Sequence, residues 1–122
     1  GENEVPPVTT EATGTATFTI RGDSLFYELT VSNITGVTAS HIHGPADPGV
    51  NAGVLLLLYS SSQGPTGAIN GTLAAGKATA SDVNGISIDS LFTLLRNGKA
   101  YVNVHTAAHA PGEIRGQITR AN

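Results

Sequence analysis

Apolar and polar residues alternate with a period of two through Ala16-Thr17-Phe18-Thr19-Ile20, and again through Leu25-Phe26-Tyr27-Glu28-Leu29-Thr30-Val31. Successive side chains of a strand point to opposite faces, so this alternation marks strands with one buried face. Arg21-Gly22-Asp23-Ser24 lies between the two runs with the composition of a turn, and the pair predicts a hairpin. Val37 to His43 reads as the next strand. Val54 to Tyr59 is a continuous apolar run, which predicts a strand covered on both faces. A turn at Gln63-Gly64-Pro65 leads into a strand over Ala68 to Leu73. Ala100 to Thr106 and Glu113 to Thr119 complete the set, joined by a loop carrying Pro111-Gly112.

One segment departs from this pattern. Asp89 or Ser90 is placed to cap a short helix that carries Leu91, Phe92, Leu94 and Leu95 and stops at Asn97-Gly98. Regular strands, Gly/Pro turns and one short helix near residues 89–97 predict an all-β protein, an antiparallel Greek-key sandwich or barrel. No linker or internal repeat divides residues 1–122, so a single domain is expected. Pro6-Pro7 cannot donate ladder hydrogen bonds, which makes Glu2 to Val8 an edge or a strand end.

Composition narrows the function. The chain has 122 residues, enough to bury roughly two thirds of its unfolded surface around one core. Only 12% of residues are charged and the formal net charge is −3. No basic stripe exists to attract nucleic acid or an anionic membrane, so neither is an expected partner. No apolar run approaches eighteen residues, and no charged-then-apolar leader opens the chain. The expectation is a soluble body whose targeting segment has been removed, with no membrane insertion. Cys, Met and Trp are absent, which excludes disulfides, thiolate zinc sites, haem attachment and thioether copper ligands. Abundant small residues and threonines with few Lys and Glu suit an exported β-domain, secreted, periplasmic or at the cell surface. Asn33-Ile34-Thr35 and Asn70-Gly71-Thr72 are glycosylation acceptors in a eukaryotic secretory setting. Oligomeric state is not written in the pattern.

The chemistry concentrates in four histidines, His41, His43, His105 and His109. His41 and His43 are one residue apart on a strand, so both imidazoles leave the same face while Ile42 points into the core. In Tyr101-Val102-Asn103-Val104-His105, Val102 and Val104 share one face, and Tyr101, Asn103 and His105 the other. His109 follows in a loop that can fold it back. Pro and Gly stiffen the chain after each pair, in His43-Gly44-Pro45 and His109-Ala110-Pro111-Gly112. A single histidine is usually an ordinary surface or core residue. Two close pairs point to a metal site, because neutral imidazole is the commonest ligand of borderline metals. Such an all-nitrogen set suits one copper ion, which outranks zinc in intrinsic affinity, with zinc as the alternative occupant. Asp47 and Glu113 are either carboxylates that orient an imidazole or solvated turn residues. Arg115 either attracts a small anion beside the metal or forms a structural ion pair.

Three ordered blocks, Asn3-Glu4-Val5-Pro6-Pro7-Val8, Ala39-Ser40-His41-Ile42-His43-Gly44-Pro45-Ala46 and Tyr101-Val102-Asn103-Val104-His105-Thr106 continuing to Pro111-Gly112-Glu113-Ile114-Arg115-Gly116-Gln117-Ile118, resemble the chordin-type CHRD domain family. That domain occurs in animal extracellular antagonists of growth factors and in stand-alone microbial secreted proteins. A second resemblance bears on chemistry. His41-Ile42-His43 on a strand, with Val104-His105 near the C-terminus, is similar to the copper ligands of copper-zinc superoxide dismutases, which are Greek-key barrels. That similarity implies His41, His43 and His105 as copper ligands, with His109 in the fourth position. No histidine lies between His43 and His105, so the bridging imidazole and the remaining zinc ligands have no counterpart, and a mononuclear centre remains. Those enzymes' disulfide is impossible here, and their anion-guiding arginine maps onto Arg115. The resulting expectations are superoxide disproportionation with superoxide as the small-anion partner, copper storage or delivery without turnover, or an extracellular interaction module.

Overall fold

The structure is a computed structural model and describes residues 1–62, 64 and 66–119. The first alternating runs form a hairpin, β1 (Thr13–Arg21) with β2 (Ser24–Ile34), in continuous register from Thr13 opposite Ser32 to Arg21 opposite Ser24. Among the described residues seven strands make two antiparallel sheets: β1-β2-β5, with β5 at Ile69–Ala78, and β4-β3-β6-β7. The second sheet comprises β3 (Val37–His43), β4 (Val54–Ser60), β6 (Tyr101–Thr106) and β7 (Ile114–Gln117). The fold is therefore an all-β sandwich, as the alternation predicts. Among the described residues neither sheet closes into a barrel.

Two apolar clusters fill the space between the sheets. One gathers Leu29, Val31, Ile34, Val37, Val104 and Ile114. The other joins Leu25, Ile42, Leu56 and Ala78 to the helix α1 (Ile88–Arg96) through Leu91, Phe92 and Leu95. Ser87 caps this helix, its Oγ accepting from the Ser90 amide at 3.1 Å. The sequence reading placed the cap at Asp89 or Ser90. Asp89 instead sits in the first turn, where its charge favours the positive end of the helix dipole. No helix among the described residues is long and apolar enough to cross a membrane.

Three further expectations need correction. Residues 2–8 form turns rather than an edge strand, with the Glu4 and Val8 amides both donating to the Gly1 carbonyl. The C-terminal strand is Ile114–Gln117, shorter than Glu113 to Thr119. β4 is not doubly covered: it is an edge strand, and Leu57 is 52% exposed on its outer face. Two register shifts between β3 and β4, at Ser40/His41 and at Ile42/His43, separate the buried leucines from that face. Apart from Gly64, the turn expected at Gln63-Gly64-Pro65 lies outside the described residues.

Ile42 is fully buried between His41 and His43 on β3. Truncating it in Ile42→Ala is expected to cost about 2–5 kcal/mol, and Ile42→Val about 1 kcal/mol, read from urea midpoints at unchanged m.

Candidate metal centre

The pairing of β3 with β6 sets Ala39 opposite His105, His41 opposite Asn103 and His43 opposite Tyr101. Directly paired residues share a face. His41, His43 and His105 therefore converge on the outer face of the four-stranded sheet, while Ser40, Ile42, Val102 and Val104 turn inward. Ring centroids stand 5.4 Å apart for His41 and His43, 5.0 Å for His41 and His105, and 5.7 Å for His43 and His105. One nitrogen of each ring lies within 4.8 Å of the others. Bonds of about 2.0–2.1 Å from nitrogen to a metal hold two ligand nitrogens up to about 4 Å apart, a spacing comparable with this bound.

Main-chain carbonyls decide which nitrogen each ring offers. His43 Nδ1 is 3.0 Å from the Ala52 carbonyl oxygen, and His105 Nδ1 is 2.8 Å from that of Ala110. A carbonyl only accepts, so each Nδ1 carries the proton and donates it, leaving Nε2 as a lone pair. His43 Nε2, His105 Nε2 and His41 Nδ1 are all buried without a hydrogen-bond partner. Orphaned buried polar atoms are rare in folded proteins, and three of them gathered on one face could hold a metal ion.

Electrostatics favour the neutral, ligating form. Burial, reinforced by the neighbouring His105 and His43, pushes the His41 pKa down to about 4. His43 is lowered as well, first by burial and then by His105 and Arg115, against the Ala52 carbonyl and the Asn103 amide, which favour its protonated form.

His109 is not gathered with the other three. Its main chain closes the turn instead: the amide donates to Thr106 Oγ1 at 3.1 Å, and the carbonyl accepts from Thr106 and Gly112. Asp47 pairs with Lys99 at the exposed surface and orients no imidazole. Glu113 accepts the hydroxyls of Thr10 at 2.8 Å and Thr106 at 2.9 Å, pinning the N-terminal segment to β6. The orienting groups are thus carbonyls of Ala52 and Ala110, which no side-chain pattern announces.

Arg115 is 7% exposed and, paired with Asn103, lies on the histidine face of the sheet. Its guanidinium lies 3.4 Å from the centre of the Tyr101 ring and donates to Asn51 Oδ1 at 2.7 Å and to the Val50 carbonyl. Tyr101 in turn stacks on His43, with centroids 4.9 Å apart and planes 6° from parallel. Asn51 Nδ2 donates to the Val5 carbonyl, so one arginine ties the 44–53 loop, the N-terminal segment and the His43 ring together.

Beneath that segment Glu4 is buried beside Asn103. Burial raises the Glu4 pKa, opposed by Arg115 and the N-terminal ammonium. Gly112, at φ +128°, lets the chain pass over both: a Cβ there would strike Glu4 Oε2 and stand 2.9 Å from Asn103 Nδ2. Sequence reading singled out neither Glu4 nor Asn103 as a site residue. The signal available was the placement of Asn103 on the histidine face of β6.

An open seven-strand sandwich bearing three histidines on one sheet defines the class of this molecule. The CHRD domain family matches residues 1–118, and the chain belongs to that family. No curated protein and no solved structure matches it.

Two outcomes follow. Unfolded histidine takes up its proton near 6.5, whereas folded His41 does so near 4. Between these values the unfolded chain binds more protons, so the metal-free protein is expected to lose stability as pH falls from about 6.5 to about 4. Thermal melts across this range should show a shallower loss in His41→Gln. Gly112→Ala combines an unfavourable φ with two contacts, and an equilibrium urea melt is expected to show a loss of about 1–3 kcal/mol.

Proposed function

We propose that this chain is an exported mononuclear copper-binding protein, with His41 Nδ1, His43 Nε2 and His105 Nε2 as its ligands. The observation that carries this reading is the convergence of three buried, unpartnered ring nitrogens, two with their tautomer set by a carbonyl. All-imidazole sites accept both copper and zinc, and copper is preferred because divalent copper binds more tightly at such donors. Three protein ligands leave a further position for a small exogenous ligand.

Superoxide turnover and copper holding for storage or delivery are the two uses of such a centre. The placement of Arg115 favours holding: its guanidinium is engaged by Tyr101, Asn51 and Val50, which leaves it unavailable to guide an anion. The flanking stretch from residue 48 to 76 carries no charged side chain that would steer one.

One equivalent of Cu(II) is expected to give a spin-resonance spectrum with three-nitrogen coupling. His41→Ala, His43→Ala and His105→Ala should each lower copper affinity by about a hundredfold, while His109→Ala stays within a few-fold of wild type. A comparable loss in His109→Ala, or tighter zinc than copper binding, overturns this assignment. The loaded protein is expected to remove superoxide no faster than the His105→Ala variant treated identically; a clear excess would establish turnover instead.

A further inference from the structure

The two long sides of the sandwich are finished differently. Along the β4 side, Val83 bridges to Leu56, and Asn84 donates its amide to the Leu55 carbonyl at 2.8 Å and its Nδ2 to the Val54 carbonyl at 3.3 Å. Along the other side β1 and β7 are the edges of their sheets, and a cleft of about 770 Å³ is lined by both. Ala16, Phe18 and Ile20 of β1 and Val102 of β6 line this cleft and are only half-buried. The first three pack on the two core clusters from their open side, so apolar surface that belongs to the core still meets water here.

A strand edge carries unpaired main-chain N–H and C=O groups, which proteins blunt with charges, bulges, short length or a covering segment. The β4 edge has the cover of Val83 and Asn84. The β5 edge carries Lys77, and its pairing with β2 is broken by two register shifts. β7 has only four residues. β1 has none of these devices: nine residues pair with β2 in unbroken register, without Pro or Lys, and the single charge, Arg21, stands at the end.

We infer that β1 is the edge through which a second copy of this chain adds, the two β1 strands running antiparallel about a two-fold axis at Thr17. The strand is complementary to its own reverse. Residues equally far from Thr17 become partners and share a face, as in any antiparallel ladder. On the inner face Ala16 meets Phe18 of the second copy and Gly14 meets its Ile20, so a small residue stands opposite a large one at every position. On the outer face Thr15 meets Thr19 and Thr17 meets its own counterpart, and cross-strand threonine pairs favour a ladder. Arg21 falls opposite Thr13, at the end of the strand that Glu11 precedes, so each end of the joint brings opposite charges together. The open sides of the two sandwiches then face one another and take Phe18 and Ile20 out of water. None of the histidines takes part, so the joint stands or falls independently of the metal centre.

The chain contains no cysteine, so a single introduced thiol reports its surroundings without background. Thr17→Cys sets two thiols across the axis with Cα atoms about 4.5–5.5 Å apart, and mild oxidation of the metal-free protein is expected to yield a disulfide-linked dimer. Thr13→Cys, equally exposed on the same face of the same strand, is expected to remain uncross-linked. Sedimentation from about 1 to about 200 µM should show the mass rising from one chain of 12.4 kDa toward two. Phe18→Lys puts a charge into the joint and is expected to weaken association by about tenfold or more, with circular dichroism reporting that the sheets persist. Glu11→Arg should weaken it a few-fold, and adding Arg21→Glu should restore it. A mass of one chain at every concentration overturns the inference, in favour of a strand from a different protein. Equal cross-linking at positions 13 and 17 overturns it as well, because random collision does not distinguish the two. Should Phe18→Lys fail to fold, the two cysteine variants decide alone.

Discussion

Between β3 and β6 the ladder sets His41 against Asn103, with His43 against Tyr101 and Ala39 against His105. Everything on the outer face depends on this register. A slip of one residue would carry the ring of His105 into the space between the sheets and bring Val104 out. The inner face resists such a slip because Ser40, Ile42 and Val104 are fully or almost fully buried there. The Ser40 hydroxyl also donates to the Asn103 carbonyl at 2.8 Å, locking the two strands at the level of the site. Core packing and histidine placement are therefore two faces of one constraint.

A second layer converts this register into a defined site. Arg115, Tyr101 and His43 stack in series, and Asn51 extends the series to the N-terminal segment. Glu113 anchors the same segment through Thr10. Residues far apart in sequence thus enclose the histidines with few charges, and Arg115 and Glu113 are hydrogen-bonded to neutral groups within the fold. This enclosure explains how Glu4 comes to be buried although its segment has no regular secondary structure.

Much of this architecture is legible from local pattern. The hairpin, the His41-Ile42-His43 alternation and the split of Val102 and Val104 from Asn103 and His105 all follow from a period of two. The helix is also visible, although its cap, Ser87, lies two or three residues before the expected Asp89 or Ser90, because all three are competent caps. What escapes local pattern is tertiary. The apolar run Val54 to Tyr59 carries no mark of the register shifts that expose Leu57. His109 resembles a ligand by spacing, and it lies in the turn after β6, apart from the three gathered histidines. In sequence Arg115 reads as a structural ion pair or an anion guide, and its stacking on Tyr101 depends on β7 lying beside β6.

The tautomers of His43 and His105 are set by oxygen atoms that every residue possesses. Exchanging Ala52 or Ala110 for another amino acid leaves those acceptors in place, provided the main-chain path is kept. The instructions that aim two of the three rings are therefore invisible to side-chain scanning and insensitive to drift at the positions that carry them. Their vulnerability lies in loop length: one residue added to or taken from the segments 44–53 or 107–112 would displace an oxygen that no point substitution removes.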